Sequence, residues 1–406
     1  MTFRLSLKEL PFFLAYGIFL LVSLLSTSLF SKYIAGSRYS LVLLGCMGIA
    51  AVGEIFLSST YNHKQQIALC ITAASYGIVS YASGTLFTTI GVIPIFIFTG
   101  RRIDFNKIAR FTFWVTLGMM IFIMLSAELH IIDNLQVTSR AGRKRDFLGF
   151  RFPLNSATLA CNITALFVYY KKDHIKIKEM LLLLAFNIYL YVRTDSKLCF
   201  YSSVFILVLA FILKYKYEFM CRRKLLTGFL VGSYVLAFVV SLVFALSYDK
   251  NIQWMKELNR ATEDRLYYAN LSLERYGVTL FGEDIPWVGY GTDSSGKVVY
   301  YVHLAYFYVD NMYIQVMQRY GVVFITLFLA LFTATIYKSR KNNDIYAVFI
   351  LAIIAIKCVI DNLSFYLYYN TFWMLISYEL LNDRHPITEN QAVKKLLRML
   401  GFKNKV

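Results

Sequence analysis

NIQWMKELNRATEDRLYYANLSLERYGVTLFGEDIPWVGYGTDSSGKVVYYVHLAYFYVDN, residues Asn251–Asn311, is the one long polar interval in a chain that is otherwise mostly hydrocarbon. Irregular backbone is costly inside a bilayer, so an interval of this length belongs outside it and the apolar runs on either side belong within. The other residues agree: of 406, 58% are apolar and 16% charged, and the mean hydropathy is +0.54. A soluble enzyme does not carry that composition. The sequence predicts an all-α polytopic membrane bundle, one domain over 1–406, with a helical extracytoplasmic loop at 248–310.

Apolar runs begin with LPFFLAYGIFLLVSLLSTSLF after Arg4 and Lys8, too long for a signal peptide and followed by no small-x-small cleavage site. Further runs cover 39–59, 66–82, 84–99, 111–132, 150–170, 180–192, 198–213, 226–247, 312–337, 345–360 and 364–381, about twelve spans by length. Pro94 is expected to kink the fourth. Lys and Arg concentrate in alternate connections: Arg4, Lys8, Lys64, RRIDFNKIAR, KKDHIKIK, KYKYEFMCRRK, YKSRK and the tail with Arg384, Lys394, Lys395 and Arg398. That side is expected to be cytoplasmic, with both termini on it. The tail at 386–406 reads as an amphipathic helix lying on anionic lipid.

The net charge of +18 is dispersed among these connections, which suits membrane lipid rather than nucleic acid. None of the six cysteines lies in the long loop, so no disulfide framework is indicated. The five histidines are scattered without zinc-site spacing, and Glu128, His130 and Asp133 match no standard metal site. No metal and no cofactor is expected.

Candidate site residues come from polar groups stranded near the extracytoplasmic mouth. At about 100° per residue, Trp254, Leu258, Ala261, Ala269, Leu273 and Tyr276 share one side of a helix; Lys256, Arg260, Glu263, Asp264 and Glu274 share the other. Arg265 projects from the apolar side, where an unpaired charge is expensive and demands an anionic partner. Arg145, Arg193 and Lys197 lie in other connections on the same side, and together these cations suit a polyanion, whose phosphate oxygens pair well with guanidinium forks. Asp310 stands just before an apolar span; it is a candidate base or, equally, the N-cap of the following helix. His303 is a second candidate base, and Asn311 and Tyr313 stand beside Asp310, where a sugar hydroxyl could be held. Within the spans, Lys357 and Asp361 are four apart and can satisfy each other, Arg319 needs a partner, and Glu54 has none visible in sequence.

LNRATEDRLYYANLSLERYGVTLFGEDIPWVG, followed by VDNMYIQVMQRYGVV, resembles the large external loop and next helix of Wzy-type polysaccharide polymerases, within the O-antigen ligase and polymerase group. RDFLGFRFPLNSATLA is similar to that family's R-x-x-x-G-F-x-H-P-N segment, and YVRTDSKLCF to its T-x-S-R turn. Phe152 stands where the family often has histidine, Leu154 is inserted between Pro153 and Asn155, and Lys197 replaces the arginine of the turn. The resemblance implies a glycosyltransferase that moves a growing glycan from undecaprenyl diphosphate to a lipid-linked repeat unit. It would work on the outer face of the bacterial cytoplasmic membrane, as in capsule, exopolysaccharide or O-antigen synthesis.

By that resemblance Arg145 and Arg265 grip diphosphate, and Asp310 occupies the place where related ligases carry histidine. The implied partners are the undecaprenyl-diphosphate-linked oligosaccharide, a chain-length regulator and a flippase. Fixed arginines would neutralise the leaving group without a metal. An O-antigen-type ligase is the alternative enzyme, disfavoured by Asp310, and a lipid-linked oligosaccharide flippase is the alternative of a different class, which does not need so long an external loop.

Overall fold

The computed structural model describes residues 6–34, 36–57, 61–138, 142, 144–289, 291–292, 298–299 and 306–382. His303 and the expected tail helix at 386–406 lie outside these residues.

Helices account for most of the described chain. The first five are α1 (Leu10–Ser26), α2 (Gly36–Leu57), α3 (His63–Ser83), α4 (Val92–Thr99) and α5 (Phe105–Glu128). They are followed by a short hairpin of β1 (Gln136–Thr138) and β2 (Lys144–Asp146), then α6 (Pro153–Lys171), α7 (Ile177–Thr194), α8 (Lys197–Arg222), α9 (Lys224–Val231) and α10 (Ser233–Ser247). The long polar interval contributes α11 (Gln253–Ala261), α12 (Arg265–Tyr276) and a second hairpin of β3 (Gly291–Thr292) and β4 (Val298–Val299), before α13 (Met312–Lys341) and α14 (Ile345–Lys357). Five of these helices are long and apolar enough to cross a membrane, or six if α9 and α10, bent by 56° at Gly232, make one span. Three shorter apolar helices, including α1 and α14, accompany them.

Helices α6 and α14 form the centre, buried along nearly their whole lengths. Around them pack α5, α7, α8, α9, α10 and α13. Leu181, Leu182, Phe205, Val239 and Val243 point outward from this ring, as lipid-facing residues would. Polar side chains on the inner helices bond across them: Asn187 Nδ2 donates to Thr164 Oγ1 at 2.9 Å, and Asn162 Nδ2 to Thr371 Oγ1 at 3.1 Å. Where no water competes, such bonds fix which helix faces which.

Several expected spans are interrupted. The run at 84–99 is helical only from Val92, and Pro94 lies in the first turn, where a missing N–H costs nothing, so it starts the helix rather than kinking it. The run at 345–360 stops at Lys357. Beyond it, the expected span at 364–381 opens as irregular 3₁₀ turns at Leu363–Phe365 and Thr371–Trp373. That backbone is buried, and side-chain amides satisfy it: Asn370 Nδ2 donates to Ser364 O, Asn370 Oδ1 accepts from Phe372 N, and Asn162 Oδ1 accepts from Thr371 N. Irregular chain survives at this depth only when protein supplies such partners.

The charges within spans are paired. Lys357 meets Asp361 and also Ser364 Oγ at 2.9 Å, as the spacing of four predicts. Glu54, without a partner visible in sequence, pairs with the buried Arg101 and lies 3.8 Å from Arg102. Arg319 meets Asp284 of the long loop at 2.8 Å.

The largest departure lies in α13, which is not one rod. Gly321 has φ 86° and ψ 171°, and the aromatic ring of Tyr234 lies 6.5 Å from Tyr313, 5.7 Å from Phe328 and 4.4 Å from Phe332. In a straight helix Tyr313 and Phe332 would be about 28 Å apart, too far for one ring to reach both. The chain folds back at Gly321, giving a half-helix, Met312–Tyr320, that leans against the long leg.

Candidate functional site

The long loop delivers its one misplaced cation to this half-helix. A single helix across 254–276 is expected from periodicity, but the chain turns at Thr262–Asp264, with Glu263 and Asp264 in left-handed conformation. Arg265 therefore opens α12 as its first residue. Its Nε donates to Asp310 Oδ2 at 3.2 Å, and each side chain keeps 24% of its surface exposed. The anionic partner demanded by Arg265 is in the protein itself.

Of the two duties that sequence left open for Asp310, base or N-cap, the cap falls to its neighbour. Asn311 caps the half-helix, its Oδ1 accepting from Tyr313 N at 3.0 Å and Ile314 N at 3.2 Å. Asp310, relieved of capping, faces Arg265 and the Tyr306 hydroxyl, which donates at 3.5 Å. Burial pushes the Asp310 carboxyl above the usual carboxylate range, against the pull of Arg265. For Arg265 burial works against the charge, but the Asp310, Glu263 and Asp361 carboxylates together outweigh it and the guanidinium stays protonated. The Tyr306 hydroxyl is raised too, by burial and by the neighbouring Asp310 charge. Tyr313 is placed inside the bundle, fully buried, with its hydroxyl donating to Ala355 O at 2.9 Å.

A second cluster gathers the other predicted cations. Helix α7 packs on β2, and there Arg145 Nε donates to Thr194 O at 2.8 Å while its guanidinium lies 5.8 Å from the Phe152 ring. Arg193 is held by two carboxylates, Asp146 and, at 3.0 Å, Glu128. Lys197, three residues beyond Thr194, is exposed and makes no side-chain hydrogen bond or ion pair among the described residues. The structure thus places Arg145 and Arg193 where β2 meets the end of α7, with Lys197 four residues further along the chain, and joins Arg265 to Asp310; among the described contacts no partner is shared by Arg145 and Arg265. Glu128 and Asp133 are occupied by Arg193 and, at 3.8 Å, Lys32.

The irregular segment 358–373 runs past the Arg265–Asp310 pair. Asp361 acts electrostatically on both Arg265 and Asp310, and Asn362 Nδ2 donates to the Tyr308 hydroxyl at 2.7 Å. Tyr368 and Tyr369, from the same segment, lie within electrostatic reach of Arg151. Arg151 was missed by sequence reasoning. It is carried by a short bridge between Ser28 and Phe150 and by Arg151 N donating to Thr27 O at 2.9 Å. Its signal was available: an arginine between two phenylalanines, two residues before the proline that opens α6.

Chemically, the arrangement offers a carboxylate disposed to accept a proton, a guanidinium that a stronger anion can draw away from it, and tyrosine faces and hydroxyls suited to sugar. No family model matches the chain, and neither does any curated protein or solved structure.

Proposed function

We propose that this protein is a Wzy-type polysaccharide polymerase, a bundle of about twelve membrane crossings with its broken helices counted, resident in the bacterial cytoplasmic membrane with the long loop outside. The observation that carries the proposal is the Arg265–Asp310 pair at the head of the half-helix. A pair of this kind is an anion-operated switch. A lipid diphosphate competes with the carboxylate for the guanidinium fork and, with more charge and more acceptor oxygens, displaces it. Asp310, freed and already disposed to hold a proton, then serves the acceptor hydroxyl. In the transfer, that hydroxyl oxygen bonds the anomeric carbon of the donor glycan, and the carbon's bond to the diphosphate oxygen breaks with its electron pair. The proton passes to Asp310. Arg145, Lys197 and Arg151 supply further positive charge for the departing diphosphate.

The experiment is to place Arg265→Ala, Arg265→Lys and Asp310→Asn in a glycan-producing host and to size both lipid-linked and surface glycan. Single repeat units accumulating on the outer leaflet in Arg265→Ala and Asp310→Asn are expected. Repeat units trapped on the inner leaflet would indicate a flippase instead, and long glycan persisting in Arg265→Ala would remove the residue from the reaction.

A further inference from the structure

The sharp turn in α13 is filled by another part of the chain. Residues Thr279–Glu283 of the long loop run against it: Val322 N donates to Thr279 O at 3.0 Å, Val323 N to Leu280 O at 3.2 Å, and Glu283 N to Gln318 O at 3.2 Å. Gly282 N donates to Thr279 Oγ1 at 2.9 Å. Backbone approaches backbone so closely that both crossing residues are glycines of positive φ, Gly282 and Gly321. A loop in water needs none of this, because water would satisfy the same groups. The pattern is what a non-helical segment requires where water is scarce.

The side chains agree. Val278 is 42% exposed, Leu280 63% and Phe281 50%, beside Val322 and Val323 at 40% and 41%. These apolar groups continue the outward face of α13. Depth follows from length: the long leg from Gly321 to the basic end at Lys338, Arg340 and Lys341 is about 30 Å, one hydrocarbon thickness. With that basic end at one interface, Gly321 lies at the other.

We infer that residues Val278–Phe281 form an apolar finger inserted among the lipid acyl chains of the leaflet on the loop side. The finger is tied to the site through Gln318, whose Nε2 donates to Ser272 O and to Gly277 O, both at 3.0 Å, while Ser272 Oγ donates to Gln318 Oε1 at 2.8 Å. Helix α12 is thereby clamped at its C-terminal end to a membrane-embedded point, and the depth of the finger sets the depth at which Arg265, at the other end of α12, meets Asp310. This placement does not depend on the reaction proposed above.

The test uses the full chain in lipid nanodiscs, with the exposed Cys70 and half-buried Cys221 changed to serine and a nitroxide attached at Phe281→Cys or Leu280→Cys. Neither position is buried, so neither change threatens folding. Val323→Cys serves as the lipid-facing reference and Lys250→Cys as the aqueous one. Collision with oxygen exceeding collision with a water-soluble nickel chelate at 280 and 281, as at 323, is expected. Nickel-dominant collision, as at 250, would place the loop in water and overturn the inference. Low access to both reagents would mean that another protein surface covers the finger, and would overturn it equally.

Discussion

Replacing Gly321 by alanine tests the crossing of loop and helix directly. A Cβ added at Gly321 would lie 2.5 Å from Gly282 N, and one added at Gly282 would lie 2.6 Å from Tyr320 Cα, in both cases against backbone that cannot swing aside. Ordinary contact requires the loop to retreat by roughly 1 Å. A retreat of that size stretches the 3.0 Å and 3.2 Å bonds from Val322 N and Val323 N beyond useful length. Each donor left unsatisfied away from water costs about 1–3 kcal/mol, and the backbone angles of Gly321, open essentially to glycine alone, add about 1–3 kcal/mol of strain. The total is roughly 5 kcal/mol, enough to unfold the loop from the bundle. The assay is the temperature at which detergent-purified protein loses its monodisperse size-exclusion peak, with proteolysis of the loop read in parallel. Gly277→Ala is the control: its φ of 61° and ψ of −148° are also open essentially to glycine alone, but an added Cβ has nothing within 4 Å, so it carries the same strain of about 1–3 kcal/mol without the clash. Gly321→Ala and Gly282→Ala should be far less stable than Gly277→Ala and should expose 277–283 to protease. If all three behave alike, the close approach of the two backbones contributes nothing and the reasoning fails.

The raised Asp310 carboxyl gives the remaining expectations their signs. Activity should rise with pH on a limb lying above the ordinary carboxylate range; Arg265→Ala removes the opposing cation and should move any residual limb to still higher pH, whereas Arg265→Lys should move it less, as read from polymer yield against pH. The folded protein holds this proton more tightly than the unfolded chain does, so the Asp310 contribution to stability is greatest in acid and is lost as pH climbs from about 4 through the folded value; thermal stability of Asp310→Asn should lack that decline. Lys357→Met should cost about 3–5 kcal/mol by stranding Asp361, and Lys357→Met with Asp361→Leu should recover part of it, measured by thermal denaturation in detergent. Arg193→Ala releases Asp146 and Glu128 and should leave β2, Lys144–Asp146, open to protease without touching the Arg265–Asp310 pair.

The apolar runs made the helical class and the spans built on α3, α5, α8 and the long leg of α13 legible, because a length of hydrocarbon suited to a bilayer is written in composition. Composition does not record a break. In 358–373 the chain reads as aromatic and apolar, and what stops the helix is a set of polar side chains, Asp361, Asn370 and the distant Asn162, that offer the backbone other partners. The turn at Gly321 likewise depends on Gly282, 39 residues earlier in the chain, and neither glycine signals the other. The turn at Thr262–Asp264 carries no glycine or proline, so periodicity ran through it. The β1–β2 hairpin escaped for the opposite reason: its strands are three residues long and mostly polar, and Arg145 sits within one opposite Val137.

At the site, legibility followed burial cost. Arg265 was conspicuous because a guanidinium on an apolar helix side must be answered by an anion, and Asp310 answers it. The adjacent Asp310 and Asn311 were not separable in sequence, since both residue types cap helices well. Geometry separates them: one side-chain oxygen takes the N–H groups of Tyr313 and Ile314, and that oxygen belongs to Asn311. Had the carboxylate taken the cap, two N–H donors and a helix N-terminus would have held it ionised and low in pKa, a poor proton acceptor. Giving the cap to the neutral amide leaves the carboxylate facing, among the described residues, a single displaceable cation. Asn311→Asp should therefore bring a second charge to the pair and disturb the proton affinity of Asp310, while Asn311→Ser, which preserves the cap without charge, should not; a Ser variant that moves the pH limb as far as the Asp variant does would show that charge at 311 does not govern Asp310.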